Sequence, residues 1–223
     1  DQVNGLIGGV KSVSSKANVY PMQLDVERLP MKRDFARCLD ESICLVFTGK
    51  TRLAKNLLDT VLFRWSTRAP DIMKTVSGLV DGANRCCKAV LSENLDVLGE
   101  CLTDYWQHKK AMAGAGSCVE PEVVRIAIDE LERLQLVRGA ALSGAGGGGF
   151  MVLLLANGVS VTNVQFALRQ SERLSSTGRA DEVDLFTYHS CEIDNDGLVL
   201  QHLEGSDKQN PSAFDMAWLR DDS

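Results

Sequence analysis

The spacing of apolar residues changes along the chain, and each change marks a predicted element. In the first thirty residues small, polar and apolar positions alternate, and Met22, Leu24 and Val26 in PMQLDVERL recur at the two-residue period of a strand. The continuous apolar run Ile43 to Phe47, ICLVF, suits a short buried strand that ends at the turn-like pair Thr48-Gly49. From Leu53 the period becomes helical, because Leu53, Ala54, Leu57, Leu58, Val61, Leu62 and Trp65 fall on one stripe. Pro70 stands just inside the start of a second predicted helix, with apolar positions Met73, Val76, Val80, Ala83, Cys87 and Val90. A third is predicted from Leu95 to Met112, with Leu95, Leu98, Leu102, Tyr105 and Trp106 facing inward and Ser92 near its cap. Gly114 to Ser117 breaks the chain, and Pro121 opens a fourth helix carrying Val124, Ile128, Leu131 and Leu134.

Beyond these helices the pattern predicts a strand near Ala140 to Ser143, a strand from Phe150 to Ala156, a helix from Val161 to Leu174 and a strand through Val183 to Ile193. Asn195-Asp196-Gly197 reads as a turn into a final strand, Leu198 to Leu203. Together with the strand ending at Phe47, these pieces predict an α+β fold: a small antiparallel sheet of the ferredoxin-like sort, covered by helices.

Composition narrows the function classes. The 223 residues are 44% hydrophobic and 24% charged, ordinary for a globular protein, and the net charge of -6 is spread along the chain. A nucleic-acid-binding face would show clustered Lys and Arg, so no nucleic-acid partner is expected. No apolar stretch reaches the roughly 18 residues of a membrane span, and no signal peptide is evident, so the expected setting is cytoplasmic. Seven cysteines without a C-x-x-C spacing read mostly as small buried hydrophobes in a reducing compartment. His108, His189 and His202 lack ligand partners at helical or strand spacing, so no metal is assigned to protein side chains.

The candidate chemistry centres on SGAGGGGFMVLLLA, from Ser143 to Ala156. A backbone without Cβ atoms can take left-handed angles and approach a phosphate or another loop closely, and the apolar run that follows pins it to a core. Gly144, Gly146 and Gly149 satisfy G-x-G-x-x-G formally, but a strand rather than a helix follows them, so the dinucleotide fingerprint does not apply. No Lys-Ser or Lys-Thr pair closes the run as a Walker A loop requires. A plain glycine-rich hairpin is the alternative reading. Thr48, Gly49, Lys50 and Arg52 sit where a strand meets a helix. Cations at the positive end of a helix ask for an anion or an acidic neighbour, while simple capping is the bland account. Trp106 reads first as core and second as the wall of a pocket into which Lys109 or Lys110 reaches.

Taken in order, Asp1-Gln2-Val3-x-Gly5-Leu6, then Leu45 to Ala54 (LVFTGKTRLA), then Leu102-Thr103-x-Tyr105-Trp106-x-x-Lys109-Lys110, then GAGGGGF from Gly144 to Phe150, resemble the C-terminal half of GHMP small-molecule kinases. The combination is similar above all to the fucokinase and heptose-kinase branch, with galactokinase and mevalonate kinase as relatives. The resemblance implies a GHMP kinase C-terminal domain over about residues 49–204, a remnant of the N-terminal GHMP domain over 1–48, and an acidic tail over 205–223.

By that resemblance the chain takes part in moving the γ-phosphoryl group of ATP, with Mg2+ bridging phosphate oxygens, to the anomeric hydroxyl of L-fucose or a similar sugar. Asp1 matches the catalytic Asp of the Asp-Gln pair; a carboxylate there orients the hydroxyl and accepts its proton, typically worth roughly a hundredfold to ten-thousandfold. Gly144, Ala145, Gly146, Gly147, Gly148 and Gly149 would support the nucleotide-phosphate loop, and Thr48, Gly49, Lys50, Arg52, Trp106 and Lys109 would line substrate or phosphate. The family's loop P-x-x-x-G-L-G-S-S-A is not found in this sequence. The implied partner is therefore the missing N-terminal half of the same kinase, and the chain alone is expected to be inactive. A homodimer through unpaired strand edges is a further expectation. The rival readings are a kinase for D-arabinose, galactose or a heptose phosphate, and a non-catalytic ligand-binding or regulatory domain of the same fold.

Overall fold

In the computed structural model, residues 2–17, 19–50, 55–114 and 117–199 are described. The chain begins with α1 (Gln2–Leu6), a ribbon of β1 (Lys11–Ser15) and β2 (Leu24–Arg28), α2 (Arg33–Ser42) and β3 (Ile43–Phe47). Four helices follow: α3 (Lys55–Ser66), α4 (Pro70–Leu91), α5 (Leu95–Ala113) and α6 (Glu122–Arg133). Then come β4 (Val137–Leu142), β5 (Phe150–Leu155), α7 (Val161–Arg169), α8 (Glu172–Ser176), α9 (Ala180–Asp184) and β6 (Thr187–Ser190).

The apolar run of β3 and that of β5 become the two central strands of a four-stranded sheet of order β4-β5-β3-β6. Every pairing is antiparallel. One helical crossover joins β3 to β4 and a second joins β5 to β6, while β4 and β5 are linked directly by the glycine run. This is the β-α-β-β-α-β arrangement predicted from the pattern, with the first crossover enlarged to four helices. The expected boundary at residue 48 falls inside this unit, because β3 lies in the middle of the sheet.

Strand alternation decides which side chains are buried. Cys44 and Val46 of β3 are paired with Leu153 and Met151 of β5, and all four are wholly buried. They pack against Val123, Val124, Ala127 and Leu131 of α6 and Val164 and Leu168 of α7 in one continuous core. Full burial of side chains of this size is worth roughly 1.5–3 kcal/mol each, so this layer carries the domain. The opposite face presents Phe47 and Phe150, whose rings lie 5.2 Å apart, and toward its other end Val152 and Leu154. There α4, α5 and α2 leave a cavity of about 530 Å3, walled by Leu39, Cys86, Leu98, Leu102, Val152 and Leu154 among others.

Helix α5 meets β4 backbone to backbone. A Cβ placed on Gly139 would sit 2.0 Å from the carbonyl oxygen of Gly99, and one on Gly99 would sit 2.6 Å from the Arg138 carbonyl. Arg138 then ties the joint by donating to Asp96 Oδ1 at 2.7 Å and to the Leu155 carbonyl.

Several sequence expectations are corrected. The stripe on α3 has helical period, but Leu58, Leu62 and Trp65 are exposed at 55%, 54% and 43%. This helix is held instead by Arg64, which donates to the carbonyls of Met112 and Ala111 at the end of α5 and pairs with Asp71. Met73, Val80, Tyr105 and Leu134 are also exposed. The cap of α5 is Asn94, accepting from Val97 N–H, whereas Ser92 ends α4. The helix expected to run to Leu174 stops at Arg169, because Ser171 caps a new turn by accepting from Leu174 N–H. Val183 belongs to α9, and β6 is only four residues long. Leu198 and Val199 are not in a strand; the rest of that expected element and the acidic tail lie outside the described residues. Cys38 and Cys118 are exposed, while burial pushes the thiols of Cys44 and Cys86 up to about 11.

The two glycine environments make opposite predictions for the same change. Gly139→Ala forces the α5–β4 joint apart and is expected to cost about 1–3 kcal/mol. Gly82→Ala, in a helix with nothing within 4 Å of the new methyl, is expected to stabilise by roughly 0.5–1 kcal/mol. Urea denaturation of both variants checks the pair.

Candidate functional site

The glycine run is a loop whose two ends are closed by the sheet. At its base Ser143 N–H donates to the Phe150 carbonyl at 2.8 Å. Inside it Gly144, Gly146, Gly147, Gly148 and Gly149 all have φ in the left-handed region, between 68° and 141°. Two of them also need to be bare: a Cβ on Gly146 would meet Val119 Cγ2 at 2.5 Å, and one on Gly148 would meet the Lys50 carbonyl oxygen at 2.8 Å. Those contacts show what the loop is wedged between, namely the turn before α6 on one side and the end of β3 on the other.

Hydrogen bonds fasten both sides. Gly147 N–H donates to the Val119 carbonyl at 2.5 Å, and Gly149 N–H donates to the Lys50 carbonyl at 2.8 Å. The Gly149 carbonyl accepts both the N–H and the hydroxyl of Thr48, each at 2.9 Å. Gly147 and Gly148 are buried, whereas Gly144 is exposed and Ala145 and Gly146 are half-buried. The N–H groups of these last three donate to no described backbone carbonyl. Successive backbone N–H groups in such a turn, with left-handed glycines at Gly144 and Gly146 on either side of Ala145, form a concavity suited to an anion.

Side chains stiffen the two walls. Trp106, 1% exposed, donates its indole N–H to Glu120 Oε1 at 2.5 Å, and Lys110 Nζ reaches both Glu120 oxygens at 3.1 Å. On the other wall Lys50 pairs with Glu182, which also accepts from Arg179. The Lys50 bond, assisted by Arg179, holds the Glu182 carboxyl below the usual carboxylate range against the opposing effect of burial. Arg179 bridges on to Glu122 at the start of α6.

Of the residues singled out from sequence, Thr48 and Lys50 are therefore braces of the glycine loop. Gly49 has φ 70° and no room for a side chain against Leu185. The acidic neighbour that Lys50 required is Glu182. Trp106 is core and brace together, and Lys110 is neutralised by Glu120. Lys109 differs: it lies over the Tyr105 ring at 5.8 Å, burial lowers its pKa, and it has no carboxylate partner among the described residues.

Asp1 and Arg52 lie outside the described residues. The segment after Asp1 is attached by a bridge between Ile7 and Gly197 and by Gly9 N–H donating to the Asp194 carbonyl. Its anchors, Asp194 and Gly197, follow the end of β6 that is remote from the glycine loop, since Thr187 rather than Ser190 pairs with Phe47. His108 packs on Gly78, and His189 shares a 2.8 Å hydrogen bond with Thr187. Among the described residues no three His, Cys, Asp or Glu side chains cluster to hold a metal, and no helix is long and apolar enough to cross a membrane.

Sequence reasoning missed Glu120 and Glu182. The position of Glu120 beside Pro121 and the i,i+4 spacing of Trp106 and Lys110 were visible, but their common target comes from the turn between α5 and α6. Glu182 lies 132 residues from Lys50 in sequence.

Residues 86–173 match the family described as GHMP kinases C terminal. The chain is 28% identical over 156 residues to the bifunctional fucokinase/GDP-fucose pyrophosphorylase of Arabidopsis thaliana, covering 69% of this chain and 14% of that protein. In fold it is similar to L. major mevalonate kinase in complex with R-mevalonate, with TM-score 0.56 and 14% identity over 81% of this chain and 49% of that one. It is also similar to Lactococcus lactis galactokinase complexed with galactose, with TM-score 0.53 and 16% identity over 86% of this chain and 54% of that one. The fold is that of a GHMP kinase C-terminal domain, a mixed helix and antiparallel-sheet unit. The chain resembles the GHMP kinases, which are phosphotransferases, and one curated relative is a bifunctional fucokinase/GDP-fucose pyrophosphorylase. It spans one seventh to about half of the length of these relatives.

The Lys50–Glu182 brace has a pH signature. Because the folded carboxyl is held below its ordinary value, its contribution is present above the ordinary carboxylate range and disappears as pH falls through the depressed value. Glu182→Gln is expected to be less stable than the parent by about 1 kcal/mol near neutral pH. That difference should close on acidification in denaturation curves measured down to about pH 3.

Proposed function

We propose that this chain supplies the C-terminal domain of an ATP-dependent sugar kinase of fucokinase type, which transfers the γ-phosphoryl group of ATP to the anomeric hydroxyl of L-fucose or a similar sugar. The observation that carries the reading is the glycine loop: its backbone is held at Gly147 and Gly149, while the N–H groups of Gly144, Ala145 and Gly146 donate to no backbone carbonyl among the described residues. Such donors stabilise charge on a phosphoryl group without reorganising during transfer. Likeness to the fucokinase relative and to the galactokinase fold supports the sugar class.

In this reading Gly144 to Gly149 form the phosphate-facing support, with Thr48, Gly49 and Lys50 as its buttress. Lys109, the half-buried cation with no described carboxylate partner, is the side chain free to meet a phosphate or sugar oxygen. Asp1 takes its role, orienting the attacking hydroxyl and accepting its proton, from the resemblance alone; it lies outside the described residues, and the segment after it is attached at the end of the sheet away from the glycine loop. Arg52 remains a candidate phosphate contact by the same resemblance. Trp106 acts from beneath the loop and not as a pocket wall. Mg2+ enters as part of the Mg-ATP substrate, and no step is derived through a cation held by protein side chains.

Turnover assays on the full-length protein test this directly. L-fucose-dependent ATP consumption with formation of an anomeric phosphate is expected. Gly146→Ala, which drives a methyl into Val119, is expected to weaken Mg-ATP binding by roughly tenfold or more. Turnover only with D-arabinose, galactose or a heptose phosphate would reassign the sugar. Absence of Mg-ATP binding would overturn the kinase reading in favour of a binding or regulatory domain.

A further inference from the structure

The turn between α5 and α6 contains a carboxylate that the proposed chemistry does not use. The Glu120 side chain is 9% exposed, and a carboxylate this buried is tolerated only when paired and hydrogen-bonded. Its partners are the indole N–H of Trp106 at 2.5 Å and the ammonium of Lys110 at 3.1 Å to each oxygen. Both donors belong to the last two turns of α5, so the carboxylate bolts the turn to that helix.

What the turn then carries is the glycine loop. Val119, adjacent to Glu120, accepts the Gly147 N–H through its carbonyl and fills the space that a Gly146 side chain would need. Trp106 reaches the same place, with Cη2 3.3 Å from a Cβ built on Gly146. One helix therefore supports the loop along two routes, the ring of Trp106 directly and the Glu120–Val119 pair through the backbone.

We infer that Glu120 is a positioning residue: anchored by Trp106 and Lys110, it holds Val119 against Gly146 and Gly147 and so sets the direction of the N–H groups at Gly144, Ala145 and Gly146. Its value to an anion-facing loop rests on the functional reading above; its hold on the loop does not. Glu120 contacts the loop only through Val119 and does not itself touch phosphate. The second fastening, Gly149 N–H to the Lys50 carbonyl, uses neither Glu120 nor Val119: Lys50 pairs with Glu182 of α9, and it is Arg179 that links Glu182 to Glu122.

That independence gives a test that general destabilisation cannot mimic. Amide hydrogen exchange is measured on the full-length protein and on Glu120→Gln, Glu120→Ala and Lys110→Met. The expected result is Gly147 exchanging at least about tenfold faster in Glu120→Ala, with Gly149 and the β5 amides of Leu153 and Leu154 unchanged. Glu120→Gln, which keeps an acceptor for Trp106, should fall between parent and Glu120→Ala, and Lys110→Met should show the same pattern more weakly. Titration with Mg-ATP should then show weaker affinity in the order of Gly147 exposure. Unchanged exchange at Gly147, or a uniform loss of protection across the sheet in both Glu120→Gln and Lys110→Met, would overturn the inference. A parent protein that does not respond to Mg-ATP would instead overturn the phosphate reading, while the exchange pattern still decides the role of Glu120.

Discussion

The antiparallel pairing of β3 with β5 is the constraint on which the remainder depends. Two apolar runs, ICLVF and FMVLLL, lie side by side with Cys44 opposite Leu153 and Phe47 opposite Phe150. Because β5 begins where the glycine run ends, this register delivers the loop to the place where β3 gives way to Thr48 and Lys50. A slip of β5 by one residue against β3 would turn Met151 and Leu153 away from α6 and α7. It would also remove the carbonyl of Lys50 from Gly149. Core burial and site geometry are thus set by the same ladder.

Around that ladder the molecule divides into a dense layer and a loose one. On the α6–α7 side the apolar faces interdigitate around the buried Tyr188 hydroxyl, and the loop's buried half, Gly147 and Gly148, is continuous with this region. On the other side α5 meets β4 through Gly99 against Gly139, α4 meets α5 with Gly78 under the His108 ring, and a cavity is left before α2. The glycine loop sits at the end of the sheet formed by Phe47 and Phe150, where Trp106 and Thr48 are both buried. Its rigidity comes from backbone hydrogen bonds to two different segments, each stiffened by a carboxylate paired with lysine.

The central strands β3 and β5 were legible in the sequence because they are short apolar runs bounded by turn signals, whereas the mostly polar edge strand β6, TYHS, was not delimited; Pro70 and Pro121 marked helix starts. Inward faces were less legible. The α3 stripe has the right period, yet burial is a property of what lies opposite, and among the described residues little packs on Leu58 or Leu62. Helix breaks governed by side-chain caps were missed: Ser171 restarts the chain as α8 where periodicity alone continues α7. Within the site, the glycine loop was evident from composition and Lys50 from its mismatch with a helix start. The carboxylates that answer them were not, because Glu120 and Glu182 acquire their roles only when α5, α9 and the end of β3 converge.

The central claim is that the loop from Gly144 to Gly149 faces phosphate with a backbone fastened in advance. A titration of the isotopically labelled full-length protein with Mg-ATP, followed by amide chemical shifts, tests it most directly. The account predicts that Gly144, Ala145 and Gly146 move most, while Gly147 and Gly149, already bonded to Val119 and Lys50, move little. Shifts confined to residues around the α4–α5 cavity, with the loop amides unmoved, would contradict it.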